Sequence, residues 1–271
     1  MELLTVDAEL CVKCGLCAAS CPNGIIGMTE QGPKMLCAAA CIACGHCTAI
    51  CPTKALDNEK APLAKQTALA TYPVVSAETA AAFLRARRSI RCYKPEKVAK
   101  EKVLQLLDMA RFAPTGCNSQ GVSYIVVENA DTLKLVTAET VDWLANRIAE
   151  GASWAAPFGG VVDAYRKQGV DVVLRNAPYL IVAVAPQALT MAHDNARLGL
   201  EYVELYATSM GLGTCWAGFA EMAAASGAGS LRNVLQVPEG FAVAGAMMLG
   251  IPKYTYQRLP DRNPLQVTWV E

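Results

Sequence analysis

The chain has 271 residues, with 24 Lys and Arg against 24 Asp and Glu, so its formal net charge is zero. That length suits two unequal domains or one large one, and 53% hydrophobic against 18% charged residues exclude a disordered tail. The balanced charge gives no electrostatic reason to expect a nucleic acid or an anionic membrane as partner. The apolar stretches near residues 179–186 and 241–252 are shorter than the roughly 20 residues of a membrane helix. Because residues 1–7 also lack a secretory pattern, we expect a soluble cytoplasmic protein.

Cysteine is unevenly distributed, since nine of the 12 cysteines lie before residue 52. Residues 11–22 and 41–52 both read C-x2-C-x2-C-x3-C-P, and this doubled spacing is the strongest signal in the sequence. Soft thiolates suit iron–sulfur clusters and zinc alike, but zinc usually takes its four ligands as two separated pairs. Three thiolates on one loop fit the corner of a cubane, and the fourth cysteine, directed away by its proline, ligates the other cluster. A zinc site is the alternative interpretation.

Residues 1–57 resemble the bacterial two-cluster ferredoxins. The resemblance implies one [4Fe–4S] cluster on Cys11, Cys14, Cys17 and Cys51, and a second on Cys41, Cys44, Cys47 and Cys21. Gly15 and Gly45 lie between the second and third ligands, where a residue without a Cβ lets the backbone approach the sulfide. Cys37 lies outside the pattern, and we expect it to be a small buried residue.

Residues 58–77 are predicted to be an irregular linker, because Pro62 and Pro73 interrupt any helix and the composition turns polar. Ser76 is a candidate N-cap for the helix that follows. The elements predicted beyond it are helices near 77–86, 98–112, 131–150 and 193–210, and strands at 122–127, 179–185 and 241–249. Long helical connections between strands indicate an α+β fold with a mixed or antiparallel sheet.

A basic segment, Arg87-Arg88-Ser89-Ile90-Arg91, follows the first of these helices. Guanidinium groups match phosphate oxygens bidentately, so the segment predicts an anion site. A solvated basic run at a helix end is the alternative for this segment taken alone. The sequence has no dinucleotide-binding glycine fingerprint, no Walker loop and no serine elbow, and it has only two histidines.

Three further segments accompany the basic one in order: 113–120 (APTGCNSQ), 211–218 (GLGTCWAG), and 249–252 (LGIP) leading to 261–265 (DRNPL). Together they make residues 78–271 similar to the nitroreductase-like flavoproteins. The resemblance implies an α+β homodimer that binds FMN in each of two clefts between the subunits. The predicted organisation is therefore a dicluster ferredoxin domain (1–57), a linker (58–77) and an FMN domain (78–271).

The resemblance also implies which residues hold the flavin. By this resemblance, Arg87 and Ser89 hold its phosphate and ribityl chain, and Arg91 lies near the N1/O2 edge of the ring. Arg88, in the same basic segment, is a further cofactor-binding candidate. The flavin ring or the ribityl chain is expected to contact Thr115, Asn118 and Gln120, partly from the partner subunit. The N5 side of the ring is expected to face the backbone of Trp216, Ala217 and Gly218. Arg262 is expected to close over the phosphate, with Arg258 as a weaker candidate. Gly121 and Val122 stand where many relatives have Pro-Trp. Cys92, Cys117 and Cys215 are expected to be buried small residues.

The fusion of the two domains suggests the function. A ferredoxin carries single electrons, whereas a flavin accepts them singly and passes on a pair with a proton. Our leading hypothesis is an oxidoreductase that passes electrons from two [4Fe–4S] clusters to FMN and on to an organic acceptor, such as a nitroaromatic, a quinone or an activated alkene. No side chain is expected to act as a nucleophile. The alternatives are an NAD(P)H-dependent nitroreductase with auxiliary clusters, and a non-enzymatic electron carrier or redox sensor. The electron donor is accordingly reduced ferredoxin or NAD(P)H.

Overall fold

The computed structural model describes residues 2–227 and 229–271. Its backbone contacts divide the chain into two compact units. Unit 1 comprises Met1–Val74 with Cys117–Ser119, and unit 2 comprises Val75–Gly116 with Gln120–Glu271. The predicted α+β fold class, with a ferredoxin-like unit at the N-terminal end, is confirmed.

Unit 1 is built from short strands and one-turn helices. In chain order they are β1 (Leu4–Val6), α1 (Leu16–Ala19), β2 (Ile26–Thr29), β3 (Gly32–Met35), α2 (His46–Ala49) and β4 (Leu56–Asn58). Strands β1 and β4 pair antiparallel, as do β2 and β3. Their inward side chains, Leu4, Ile26 and Leu56, pack together with the thiols of Cys17 and Cys47. The small apolar core is therefore continuous with the cysteine motifs.

The two cysteine motifs have the same backbone shape. Gly15 and Gly45 both lie in the left-handed region, with φ of 77° and 72°, and each immediately precedes a one-turn helix. Lys13 and Ala43 are left-handed too, with φ of 53° and 57°. Left-handed backbone strongly favours glycine, which explains the residue between the second and third cysteines. The sequence repeat of 30 positions is thus also a structural repeat.

Unit 2 is organised around one four-stranded sheet in the order β5, β6, β8, β7. The strands are β5 (Ser123–Val127), β6 (Tyr179–Pro186), β7 (Gly213–Trp216) and β8 (Phe241–Gly250). Every pair of neighbouring strands is antiparallel. One irregularity, between Ala183 and Val184, shifts the register of β6 against β8. Strands β5, β6 and β8 lie where the sequence predicts them.

The helices of unit 2 are α3 (Ala77–Ala86), α4 (Lys100–Ala110), α5 (Ala130–Ala149), α6 (Gly159–Gln168), α7 (Ala192–Ser209), α8 (Gly218–Ala225) and α9 (Gly229–Val234). Helices α4 to α9 cover the two faces of the sheet, whereas α3 has no buried residue. The Ser76 hydroxyl accepts a hydrogen bond from the Thr79 N–H at 3.1 Å, which makes Ser76 the predicted N-cap of α3. The α5 N-cap is Asn129, whose side chain accepts from the N–H groups of Asp131 and Thr132.

Alternate residues of β6 face two separate cores. Leu180 and Val182 pack with residues of α5, α6, α8 and α9, whereas Ile181 and Ala183 pack with residues of α4 and α7. All four of these strand residues are 0% exposed. A strand buried on both faces needs apolar side chains at successive positions, which is why residues 179–186 read as a continuous apolar run.

Three of the four cysteines that the sequence predicts to be buried outside the motifs are exposed. Cys215, in β7, is buried as expected, but Cys37, Cys92 and Cys117 are exposed. The predictions for these three were wrong because each lies in a connection rather than in a packed element, and Cys117 has a left-handed φ of 50°. In the part of the chain that the structure describes, no helix is long and apolar enough to cross a membrane.

Replacing Leu144, which is fully buried on α5, by alanine should lower the free energy of unfolding of unit 2 by about 2–5 kcal/mol. The matched control is Leu135→Ala on the same helix, where the side chain is 52% exposed and the expected loss is below about 0.5 kcal/mol. All four tryptophans belong to unit 2, so their fluorescence during urea unfolding reports on this unit. Equal losses in the two variants would contradict this packing.

Candidate functional site

Unit 1 contains two cavities, each bordered by four cysteines. One is lined by Cys11, Cys14, Cys17 and Cys51, and the other by Cys41, Cys44, Cys47 and Cys21. Each cavity therefore takes three cysteines from one motif and the last cysteine from the other. We call them the first and the second cysteine cavity. These are the two groups of four that the resemblance to ferredoxins implies.

In the first cysteine cavity, Cys51 receives hydrogen bonds from its own loop. The Ala55 N–H donates to Cys51 Sγ at 3.3 Å, and the Thr53 hydroxyl lies 3.7 Å from the same sulfur. Burial raises the pKa of the Cys51 thiol, but these hydrogen bonds outweigh it, so the net pKa is lowered. Burial dominates at Cys17, where it raises the thiol pKa. The same cavity thus contains one sulfur whose thiolate is stabilised by hydrogen bonds, Cys51, and one whose thiolate is disfavoured by burial, Cys17.

In the second cysteine cavity, the amide of Asn58 faces two sulfurs. Asn58 Nδ2 lies 3.8 Å from Cys41 Sγ and 3.9 Å from Cys47 Sγ, and the residue is 2% exposed. Burial raises the pKa of the Cys47 thiol, and the Asn58 amide opposes this rise. Four soft sulfur donors with N–H groups directed at them suit an iron–sulfur cluster. Among the described residues, no three or more His, Cys, Asp or Glu side chains are placed to hold a single metal ion.

In unit 2, Arg87 forms an ion pair with a buried glutamate. Arg87 Nη1 lies 3.1 Å from Glu204 Oε1, and the two side chains are 23% and 3% exposed. Burial raises the pKa of the Glu204 carboxyl, and the Arg87 guanidinium opposes this shift. Because Glu204 is on α7, the ion pair holds the start of the basic segment against this helix.

Arg88 has a buried nitrogen that lacks a partner within the described residues. Its Nε has no hydrogen bond there, while its guanidinium carbon lies 5.1 Å from the centre of the Tyr256 ring. Arg88 and Tyr256 line a cavity together with Lys94 and Thr214, which we call the basic cavity. A buried guanidinium N–H without an acceptor is costly, so this cavity favours an anion.

Ser89 and Arg91 follow the edge of the sheet. Ser89 forms a parallel bridge with Thr214, and the next residue, Ile90, donates its N–H to the Thr214 carbonyl at 2.8 Å. The Arg91 side chain is exposed, and its Nη1 lies 3.5 Å from the Ser89 carbonyl oxygen. The predicted basic segment is thereby aligned along β7.

Thr115 and Gln120 line a different cavity, together with the buried Asn195. The Thr115 hydroxyl accepts from the Gln120 N–H at 3.1 Å, and Asn195 Oδ1 accepts from the Gly116 N–H at 2.9 Å. Gln120 is left-handed, with φ of 48°, an uncommon conformation for a residue with a side chain. The segment is held in a tight turn by its own polar side chains.

Asn118, predicted with this group, falls in unit 1. Its side-chain amide donates to the Ile42 carbonyl at 2.9 Å. The predicted residues of the 211–218 segment lie at the end of β7: Trp216 closes that strand, Ala217 donates its N–H to the Ala246 carbonyl at 2.9 Å, and Gly218 begins α8.

Arg262 lies in residues 251–271, which follow β8 without regular secondary structure beyond one bridge. It is exposed, its backbone N–H donates to Asp261 Oδ1 at 2.9 Å, and it lines neither of the two cavities of unit 2 that border predicted flavin residues. The structure therefore places Arg88 in the basic cavity, Thr115 and Gln120 in another, and Arg262 outside both.

Three residues that surround these sites do not follow from the sequence motifs: Glu204, Tyr256 and Asn58. Only Glu204 left a usable signal, because an acidic residue interrupts the otherwise apolar face of α7 formed by Leu200, Val203 and Ala207. A buried acid on such a face indicates a basic partner nearby.

Comparison with known proteins agrees with the geometry. Residues 84–251, more than half of the chain, match the model of the nitroreductase family. The chain belongs to the nitroreductase family. Residues 10–56 match the 4Fe–4S dicluster domain, so the predicted fusion of the two domains is confirmed and the zinc interpretation is set aside. Members of this family are oxidoreductases, and this chain is an enzyme of that class.

Individual relatives are similar to between 62% and 73% of the chain. A curated protein of Archaeoglobus fulgidus, named as a candidate NADH dehydrogenase/NAD(P)H nitroreductase, is 28% identical over 172 residues, which are 62% of this chain and 82% of the relative. A nitroreductase from Desulfitobacterium hafniense DCB-2, solved with bound FMN, is 27% identical with a TM-score of 0.58, over 73% of this chain and 100% of its own. One from Bacteroides fragilis NCTC 9343, also solved with FMN, shares the fold at 20% identity and a TM-score of 0.57, over 70% and 98%.

Arg87→Met should lower the free energy of unfolding of unit 2 by about 3 kcal/mol, because Glu204 would keep a buried charge without its partner. The double variant Arg87→Met/Glu204→Leu should recover most of that loss, since both charges leave together. The control, Arg166→Met, breaks an exposed ion pair with Asp142 and should cost below about 1 kcal/mol. Urea unfolding followed by tryptophan fluorescence measures all three, and a double variant as unstable as Arg87→Met would contradict the pairing.

Proposed function

We propose that this nitroreductase-family enzyme passes electrons from two [4Fe–4S] clusters to FMN and on to an organic acceptor, such as a nitroaromatic, a quinone or an activated alkene. The observation that carries the proposal is the presence, in one chain, of two four-cysteine cavities and a nitroreductase fold with a basic cavity. Covalent linkage raises the effective concentration of the electron donor at the flavin, which is the physical advantage of such a fusion.

The cysteine cavities would hold one cluster each. The first cysteine cavity would take its cluster on Cys11, Cys14, Cys17 and Cys51, and the second on Cys41, Cys44, Cys47 and Cys21. The left-handed glycines before α1 and α2 support this assignment, because both motifs make the same turn, which residues with a side chain rarely adopt. The N–H groups directed at Cys51 and Cys47 would stabilise the negative charge of a bound cluster.

The basic cavity would receive the phosphate of FMN. Arg88 supports this role best, because its buried Nε has no acceptor among the described residues and a phosphate oxygen would supply one. Arg87, held by Glu204, and Ser89 would contact the phosphate and the ribityl chain beside it. Arg262 would close over the phosphate from the irregular segment after β8. Both flavin-bound relatives described above belong to the same fold.

Bound FMN would supply the conversion of single electrons into an electron pair that leaves with a proton. The chain would contribute the electrostatics: Arg91, exposed beside the Ser89 carbonyl, would place a fixed positive charge near the N1/O2 edge of the ring. The backbone at Trp216, Ala217 and Gly218 would face the N5 side. No side chain is required to act as a nucleophile.

A homodimer would complete the flavin cleft. Thr115 and Gln120 line a cavity other than the one that contains Arg88, which is expected if they serve the flavin of the partner subunit, as Asn118 would. The chain also exposes apolar side chains on α7, such as Leu198, and near its C-terminal end, where Leu265 and Trp269 are 88% and 87% exposed. Burying such groups against a second copy would favour association.

The second candidate is an NAD(P)H-dependent nitroreductase in which the clusters are auxiliary. The name of the Archaeoglobus fulgidus relative favours it, since that protein is described with nicotinamide donors. The absence of the Rossmann glycines is compatible with this candidate, because the resemblance to nitroreductases implies nicotinamide stacking on the flavin.

Arg88→Leu should weaken FMN binding by about ten- to a hundredfold, because a charge-assisted contact to phosphate contributes roughly 1.5–3 kcal/mol. Riboflavin lacks the phosphate, so its affinity should be the same in the wild type and the variant. Calorimetric titration of both flavins into the apoflavoprotein makes the comparison, with Arg166→Leu as a control that should change neither affinity. A parallel loss of riboflavin binding would mean that Arg88 shapes the fold and does not contact the phosphate.

The choice between the two candidates rests on the electron donor. Protein prepared without oxygen should contain about eight iron atoms per chain, and Cys14→Ala should lose one cluster chiefly. Nitroaromatic reduction driven by reduced ferredoxin should then fall to near background in Cys14→Ala, while FMN content stays unchanged. If NAD(P)H instead drives fast turnover that Cys14→Ala leaves intact, the auxiliary-cluster candidate is correct.

A further inference from the structure

The repeat in unit 1 places different side chains at matching positions of the two cysteine cavities. The repeat advances by 30 positions, as from Cys11 to Cys41, so Met28 is the counterpart of Asn58. Each lines the cavity of its own half: Met28 lines the first cysteine cavity, and Asn58 lines the second. The cavities are thus similar in backbone but differ at this point in the polarity of their walls.

Asn58 is held so that its N–H₂ group faces sulfur. Its Oδ1 accepts from the Lys60 N–H at 3.0 Å, which fixes the orientation of the amide. Its backbone is fixed by pairing with Leu4 across β1 and β4. The remaining end of the amide then lies 3.8 Å from Cys41 Sγ and 3.9 Å from Cys47 Sγ. A donor that is 2% exposed and already oriented loses little entropy when it stabilises charge.

The first cysteine cavity lacks an equivalent of this side-chain donor. Met28 is 40% exposed, and a thioether has no N–H to donate. The donors on the sulfurs of this cavity are backbone N–H groups, which act on Cys17 and Cys51, and the Thr53 hydroxyl, which acts on Cys51. Among the described residues, no side-chain amide donates to any of its four cysteines.

We propose that Asn58 is a tuning residue, which raises the reduction potential of the cluster held by Cys41, Cys44, Cys47 and Cys21, and that Met28 leaves the other cluster without this contribution. A cluster gains negative charge when it takes up an electron, so N–H donors to its thiolates stabilise the reduced form more than the oxidised form. The inference depends on the dicluster domain and its ligand sets, and it does not depend on which donor or acceptor the enzyme uses.

The test is a potentiometric titration of the full chain under anaerobic conditions. Dithionite supplies one electron to each cluster and is itself oxidised to sulfite, and electron paramagnetic resonance follows the reduced clusters apart from the flavin. Asn58→Leu should lower the midpoint of one cluster so that its reduced-to-oxidised ratio at fixed potential falls about tenfold, a shift of about 59 mV. The midpoint of the other cluster should stay in place. The matched control, Met28→Leu, should move neither midpoint.

The reciprocal variant keeps the test decisive if Asn58→Leu assembles poorly. Met28→Asn changes a half-exposed position, and it should raise the midpoint of the cluster that Asn58→Leu leaves in place. Iron and sulfide content equal to the wild type shows that both clusters are loaded. Unchanged midpoints in either fully loaded variant would overturn the proposal, as would equal shifts of both clusters in Asn58→Leu. Because no acceptor takes part, failure here is distinguishable from failure of the proposed enzymatic function.

Discussion

Strands β6 and β8 have no face in contact with water, and the arrangement of unit 2 depends on that constraint. A sheet that is apolar on both sides must be covered on both sides, so α5, α6, α8 and α9 pack on one face and α4 and α7 on the other. Covering the second face with α7 brings Glu204 next to Arg87. The same sheet supports β7, along which the basic segment runs. The basic cavity is therefore a product of the core, formed where the sheet edge meets the helix that covers it.

The parts of the fold that follow from sequence are those with long periodic or apolar patterns. The 179–185 and 241–249 strands and the 193–210 helix lie almost where they are predicted, because each buries many side chains whose spacing reveals its faces. Helices α8 and α9 were not predicted, since eight and six residues carry too little periodicity. Exposure of single residues is harder still, as Cys37 and Cys117 show, because it depends on which neighbours tertiary packing brings close.

The candidate sites divide in the same way. The cysteine motifs could be recognised because a cluster needs fixed donors at a fixed spacing in the sequence. The structure groups the eight cysteines into two cavities of four, as that spacing predicts. Residues that act on those donors have no spacing rule, so Asn58 becomes visible only when distances are known. Glu204 shows in the sequence as an acid on an apolar helix face, but its partner Arg87 is identified only by the distance between them. The flavin residues are intermediate: the segments are ordered along the chain, yet the structure distributes them between two cavities and an exposed segment.

The exchange of one cysteine between the two motifs has a consequence for durability. Cys21 borders the second cysteine cavity, but its chain segment also carries Cys11, Cys14 and Cys17, which border the first. Oxidative loss of either cluster would release a thiol whose loop frames the surviving one. Loss of one cluster would therefore loosen a loop that also frames the other cluster, and would weaken the hold on it. The two halves are coupled in this respect, so a chain that keeps one cluster would hold it less tightly than a chain that keeps both.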